Sequence, residues 1–235
     1  MPVTLLSPRD AFDTLELARR MKRRFAATML DPWYNKGVGG VRDDYVAYIR
    51  SMMEAAGSFS DHVFFWGFPE IVARFVDEIP QPLELKCWLS WYYKNTPSVI
   101  RGWRSSQMAC LHLSRPNAPI YPEHFFNERQ QQLQSDGKLR YVPGPPSVIE
   151  SPLLVGFVGR DEQTGHPAQK PVAVFDTLYK MVCKPGDVVL DPMCGSATTG
   201  VVARAQGFDA ILADASDDYV AIAEKRLGVR RKRKL

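Results

Sequence analysis

The sequence predicts a doubly wound α/β fold built on a mostly parallel sheet. Short apolar or β-branched runs alternate with segments of helical spacing along most of the chain, which is the pattern of strand–helix–strand units. One run, Asp187-Val-Val-Leu-Asp191, stops at an acidic residue and turns through Pro192-Met-Cys-Gly-Ser-Ala197. It then enters Thr198-Thr-Gly-Val-Val-Ala-Arg-Ala205, which has helical composition. A second acidic residue, Asp214, closes another apolar run, Ala210-Ile-Leu-Ala213. In an open α/β sheet, corners of this kind lie at the carboxyl edge of the strands, where ligands bind.

In chain order, Val3-Thr-Leu-Leu6 reads as a short strand and residues 8–20 have helical spacing. Phe25-Ala-Ala-Thr-Met-Leu30 is a buried strand that runs out at Asp31-Pro-Trp-Tyr-Asn35. Gly37, Gly39 and Gly40 make a loose loop before a helix over 42–56. His62-Val-Phe-Phe-Trp66 is a further strand, and Pro69 suits the first position of a helix through Phe75. Residues 83–93 and 107–113 look like strands flanking a loop, 94–106, that carries Lys94, Arg101, Trp103 and Arg104. From 115 to 165 periodicity is lost and prolines and glutamines gather, as in an inserted recognition region or a mobile loop. Regular structure resumes with a helix over 170–183, the strand 187–190, the glycine corner, the strand 210–213 and a last helix over Asp217–Leu227.

A chain of 235 residues, 45% hydrophobic and 24% charged, suits one globular domain with a proper core. Cys87, Cys110, Cys183 and Cys194 form no C-x-x-C pair, and the four histidines lack ligand spacing, so no metal and no disulfide framework is expected. No signal peptide and no membrane-spanning apolar run is read, so the expected setting is cytoplasmic, with no membrane partner. The net charge of +4 is unevenly placed, with basic clusters at 19–24 and 230–234. Such clusters are the footprint of a polyanion binder, or else a solvated helix face and tail.

The glycine corner lets a ligand approach the backbone closely and offers the free N–H groups of a new helix. An acidic residue about 20 positions beyond such a turn commonly holds a ribose hydroxyl pair. The corner has neither the phosphate-cradling pattern of nucleoside-triphosphate sites nor Gly-x-Gly-x-x-Gly. It begins instead with a carboxylate, Asp191, which suits a cationic ligand. S-adenosylmethionine, with its adenosine, sulfonium and amino group, fits.

A second constellation, Asp31-Pro-Trp-Tyr34, also sits where a strand ends. Proline fixes the backbone and denies one N–H. Asp31 and the Pro32 carbonyl can then accept both hydrogens of a planar amino group, with Tyr34 stacked on its ring, as for a base flipped out of a duplex. The plainer reading is an Asp-Pro turn with aromatics packed on the core.

Asp31-Pro-Trp-Tyr34, then His166-Pro-Ala-Gln-Lys-Pro171, then Asp191-Pro-Met-Cys-Gly-Ser-Ala-Thr-Thr199 together resemble the amino-methyltransferases that modify adenine N6 or cytosine N4 in DNA. With the catalytic motif first and the cofactor motifs last, the order is similar to the β-group permutation of that family. The resemblance implies a Rossmann-like, circularly permuted S-adenosylmethionine-dependent methyltransferase fold with a seven-stranded sheet. It implies a catalytic half over 1–114, a target-recognition insert over 115–165, a cofactor-binding half over 166–228 and a basic tail over 229–235. Asp31, Pro32, Trp33 and Tyr34 match the family's D-P-P-Y catalytic motif. The cofactor set it implies comprises Asp31, Lys170, Asp191, Pro192, Met193, Cys194, Gly195, Ser196, Thr198, Thr199, Asp214 and Ala215. Asp214 to Arg226, with Tyr219 and Ala223 in register, is similar to the family's E-x-x-x-x-Y-x-x-x-A-x-x-R helix.

Three departures stand out: Trp33 for a second proline, Ala197 for a glycine, and Met193 for a phenylalanine. The family's cytosine members tend to carry serine where this chain has Asp31, which tilts the expectation toward adenine N6. The expected partner is double-stranded DNA, read by Lys94, Arg101, Trp103 and Arg104 with the insert, and a homodimer would supply a second reader. Cytosine N4, an RNA or protein amine, and a non-catalytic nucleic-acid binder are the competing readings, and the resemblance implies a role in DNA methylation of the restriction-modification kind.

Overall fold

The structure, a computed structural model, describes residues 2–36, 40–96 and 102–233. Its elements are β1 (Val3–Leu5), α1 (Ala11–Arg20), β2 (Phe25–Leu30), α2 (Tyr45–Phe59), β3 (Ser60–Gly67), α3 (Pro69–Val72), β4 (Glu84–Tyr92) and β5 (Gln107–Ser114). They continue with α4 (Glu128–Ser135), β6 (Val148–Glu150), α5 (Val172–Val182), β7 (Val188–Asp191), α6 (Thr198–Gln206), β8 (Asp209–Leu212) and α7 (Asp217–Leu227). One sheet holds all these strands in the order β1-β8-β7-β2-β3-β5-β4-β6. It is parallel except where β5 runs antiparallel to β3 and β4.

The expected α/β class and mostly parallel sheet are found, but the sheet has eight strands rather than seven. The additional strand is β6, inside the segment where the sequence loses periodicity, and it pairs with β4 through Ser90↔Val148, Trp91↔Ile149 and Tyr92↔Glu150. Three residues are too few to show alternation. The same segment holds α4, which buries no residue and therefore has no apolar stripe to read. Its one local signal is a capping box, in which Asn127 and Gln130 satisfy each other's backbone N–H.

Helices cover both faces. One layer of core joins Leu15, Ile49, Met52 and Val72 from α1, α2 and α3 to Phe65, Leu111 and Leu190 on the sheet. The other joins Phe175, Leu178, Val202 and Val220 from α5, α6 and α7 to Ala27, Trp66, Val189 and Leu212. Buried on both faces, β7 reads as a continuous apolar run. Helix α5 starts at Val172 rather than at 170, because Pro171 holds an extended conformation and caps it. In the structure β7 is followed by α6 and β8 on one side, while β2 is followed by α2 and β3 on the other. The direction of winding therefore reverses between β7 and β2, the switch point where such sheets bind ligands.

Gly200 lets α6 lie close on β8, since a Cβ there would stand 2.8 Å from Leu212 and 3.0 Å from Leu227. Ala197, fully buried at the start of α6, has φ 62° and ψ 38°, a left-handed conformation that costs a non-glycine residue about 1–2 kcal/mol. Ala197→Gly should therefore raise unfolding stability by about 1 kcal/mol, read by chemical denaturation. A loss of stability would mean that packing of the methyl outweighs the strain.

Candidate active site

Asp31 follows β2, Asp191 ends β7 and Asp214 follows β8, so the parallel register brings three carboxylates to the carboxyl edge of adjacent strands. All three line one cavity of about 680 Å³, together with Lys170, His166 and Tyr34. That volume is in the range of small-molecule sites.

The Lys170 side chain is 2% exposed, and its Nζ donates to Asp31 Oδ1 at 2.8 Å, to Asp31 Oδ2 at 2.6 Å and to Tyr34 OH at 3.2 Å. Burial works against the ammonium, but the Asp31 charge and Tyr34 outweigh it and hold its pKa above the ordinary lysine value. Burial pushes the Tyr34 hydroxyl up as well, and Lys170 opposes that shift. A charge this deep persists only when paired, and here it is.

Trp33, which stands where the related motif has proline, is fixed from several sides. Its Nε1 donates to Gly40 O at 3.0 Å, its carbonyl accepts from Tyr45 OH at 2.8 Å, and its ring meets Tyr45 and Tyr48 edge-on at 5.3 and 5.8 Å. Aromatic packing thus supplies the rigidity that the second proline would have given. Tyr34 leans on Phe68, ring centroids 4.7 Å apart.

The glycine corner is tied down on every side. Asp214 Oδ2 accepts from Gly195 N at 2.9 Å and its Oδ1 from Ser216 N at 2.9 Å. Arg226 Nη1 donates to Ser196 O, Ser196 Oγ and Thr198 Oγ1, and its Nη2 reaches Glu162. Thr198 Oγ1 donates to Lys170 O at 2.9 Å. Gly195 has φ 48°, and a Cβ there would lie 2.8 Å from His166 Nε2, so the site needs glycine. His166 Nδ1 accepts from Ala168 N, which leaves the proton of the neutral ring on Nε2, beside that glycine.

Asp191 is 2% exposed and accepts from Thr199 Oγ1 at 2.6 Å and Met193 N at 3.2 Å. Tyr179 OH, 3.0 Å from Thr199 Oγ1, completes the chain. Burial raises the Asp191 pKa from 3.8 to about 7, against the pull of those two hydrogen bonds.

Pro192, Met193, Cys194, Ser196 and Ala215, all in the expected cofactor set, also line the cavity, whereas Thr199 does not and donates to Asp191. Sequence reasoning did not single out Asp10, Gln169, Phe175 and Ser216 on the wall: Asp10 and Phe175 belong to helical segments read only as scaffold, and Gln169 and Ser216 lie inside matched motifs that gave them no role. Among the expected DNA contacts, Trp103 is 91% exposed and Arg104 is exposed, while Lys94 pairs with Glu150 at 2.6 Å on the surface. Arg101 lies outside the described residues. Much of the basic character is spent locally: Arg19 and Arg20 pair with Glu16, Arg24 with Asp61, and Arg231 with Asp217 and Glu224. Among the described residues no cluster of His, Cys, Asp or Glu could hold a metal ion, and no helix is long and apolar enough to cross a membrane.

Because folded Asp191 holds its proton more tightly than the unfolded chain does, its contribution to stability is present at low pH. It is lost as pH rises from about 4 to about 7. Denaturation of wild type and Asp191→Asn across that window should show the wild type losing stability relative to the variant as pH rises. Parallel curves would remove Asp191 as the titrating group.

A family model described as DNA methylase matches residues 91–225. The chain is 42% identical over 69 residues to the DNA adenine methyltransferase YhdJ of Escherichia coli (strain K12), covering 29% of this chain and 24% of that protein. The chain spans about a quarter to a third of the length of the first curated relatives it matches. Its fold superposes on the M1.HpyAVI–SAM complex with a TM-score of 0.73 at 19% identity, covering 97% of this chain and 100% of that one. It also superposes on the cytosine-N4-specific PvuII DNA methyltransferase with a TM-score of 0.66 at 16% identity, over 94% of this chain and 87% of that one. With more than half of its length matched by the family model and both signature motifs meeting in one cavity, the chain belongs to the DNA methylase family.

Proposed function

We propose that this chain transfers the methyl group of S-adenosylmethionine to the N6 amino group of adenine in double-stranded DNA. The observation that carries this reading is the meeting, in one cavity, of the Asp31-Pro-Trp-Tyr34 strand end with the Asp191 and Asp214 corner. The cofactor fits the donor set. Asp214 offers lone pairs for ribose hydroxyls, glycine at position 195 permits close approach, and the anionic cavity suits a sulfonium and an ammonium. Asp191 sits ready to ionise beside a cation, with its pKa near 7. His166 Nε2–H is a neutral donor on the same wall.

S-adenosylmethionine supplies an electrophilic methyl group. The adenine amino lone pair is delocalised into the ring and is a weak nucleophile. Asp31 and the Pro32 carbonyl accept its two N–H groups, draw the nitrogen toward tetrahedral geometry and localise the pair. Tyr34 stacks against the ring, and the work is positioning and preorganised acceptors. Asp31, where related cytosine enzymes tend to have serine, favours adenine. The relatives named include one adenine and one cytosine-N4 enzyme.

Incubation with labelled cofactor and duplex DNA, followed by nucleoside analysis, should yield N6-methyladenine. N4-methylcytosine would reassign the base, and label in RNA or protein alone would reassign the substrate. Asp214→Ala should weaken cofactor binding by about 1.5–3 kcal/mol, measured by calorimetry, since it strips charged hydrogen bonds from the ligand and from Gly195. Undiminished affinity would move the ribose site elsewhere.

The exposed Trp103 and Arg104 form the part of the 94–106 loop best placed to meet DNA. Arginine contacts phosphate or guanine, and an exposed ring fills or wedges the stack. Arg104→Ala should weaken DNA binding and flatten its salt dependence, by about one unit of slope if it holds a phosphate. An unchanged slope would assign the contacts to the 115–165 insert.

A further inference from the structure

We infer that Lys170 is a positioning residue of methyl transfer: it fixes the plane in which Asp31 meets the substrate amino group. This rests on the reading of Asp31 as the acceptor of that amino group.

An ammonium has three N–H donors. Those of Lys170 have three acceptors within reach, Asp31 Oδ1, Asp31 Oδ2 and Tyr34 OH, at 2.8, 2.6 and 3.2 Å. None remains for a cofactor or substrate. The related motif places this lysine with the cofactor groups, but its charge is directed at the catalytic strand end. A carboxylate has about four lone-pair sites, so the ammonium uses one on each Asp31 oxygen and leaves one on each for the cavity. The carboxyl torsion of aspartate is intrinsically broad. A two-pronged partner is what holds it to one plane. The same ammonium restrains Tyr34 through its hydroxyl, so both halves of the amine pocket share one anchor.

The anchor itself is rigidly mounted. Pro171 follows Lys170 and α5 begins immediately after it. The Lys170 carbonyl accepts from Thr198, which is buried and is itself held by Arg226. The lysine therefore spans from the cofactor corner to the catalytic strand end, and it sets the distance between them. It also places a buried cation among the three carboxylates that line the cavity.

The test uses four variants of the full chain: Lys170→Met, Lys170→Arg, Asp31→Asn and the double Lys170→Met/Asp31→Asn. Single-turnover methyl transfer at saturating cofactor and DNA is compared with cofactor affinity by calorimetry and folding by thermal melting. Lys170→Met should slow transfer about a hundredfold, the loss expected of a misplaced reacting group, while cofactor affinity stays near wild type. Lys170→Arg should recover part of the rate. The double variant should be no slower than Asp31→Asn alone, since a residue that acts only through Asp31 has nothing further to lose. Wild-type turnover in Lys170→Met overturns the inference. So does a loss confined to cofactor affinity, or a double variant slower by the product of the two single losses. If Lys170→Met does not fold, Lys170→Arg decides: it must lower the rate and spare cofactor affinity, and a normal rate overturns the inference. No methyl transfer by the wild type on any substrate would instead refute the functional reading beneath it.

Discussion

The parallel pairing of β7 with β2 on one side and β8 on the other is the constraint on which the site depends. Each strand ends in an aspartate or within two residues of one, so alignment of the strands alone gathers Asp31, Asp191 and Asp214 at one edge. Like charges gathered in a partly dry cavity oppose one another and resist desolvation. The protein answers with two devices. Lys170 neutralises Asp31 directly, and Asp191 is buried far enough for its ionisation to move to about pH 7. The cavity is therefore less anionic than its three carboxylates suggest.

The glycine corner is the most heavily bonded part of the site. The corner after β7 is stitched through Asp214, Arg226, Thr198 and Thr199, and its glycine and alanine hold left-handed backbone that these bonds must enforce. Trp103 and Arg104 stand exposed and do not line the cavity. Glu162 adds a further tie to the corner. It accepts from Val172 N at the start of α5 and pairs with Arg226, so the end of the 115–165 segment is fastened to the glycine corner.

Departures from the related motifs are absorbed by neighbours rather than by chemistry. Trp33 is held by Tyr45, Tyr48 and the Gly40 carbonyl, so a bulky ring is accommodated where a second proline would have stiffened the turn. Ala197 keeps the left-handed turn that glycine would adopt freely, and the buried corner sustains the strain. Neither change touches a group that faces the cavity with its charge.

The sequence by itself determined the class of the fold, the ends of β2 and β7, the glycine corner, and both motifs that define the site. These are local properties: period, a terminating aspartate, and turn residues carry them without reference to the rest of the chain. It did not reveal β6 or α4, because a three-residue edge strand and an all-polar helix have no pattern to detect. Nor did it reveal that Lys170 and Asp31, 139 positions apart, form one buried pair, or that Tyr45 and Tyr48 hold Trp33. Likewise, nothing local shows that Arg24 of the basic cluster pairs with Asp61, 37 positions away. Side-chain pairing across distant segments depends on the order in which strands join the sheet, and only the tertiary structure decides that.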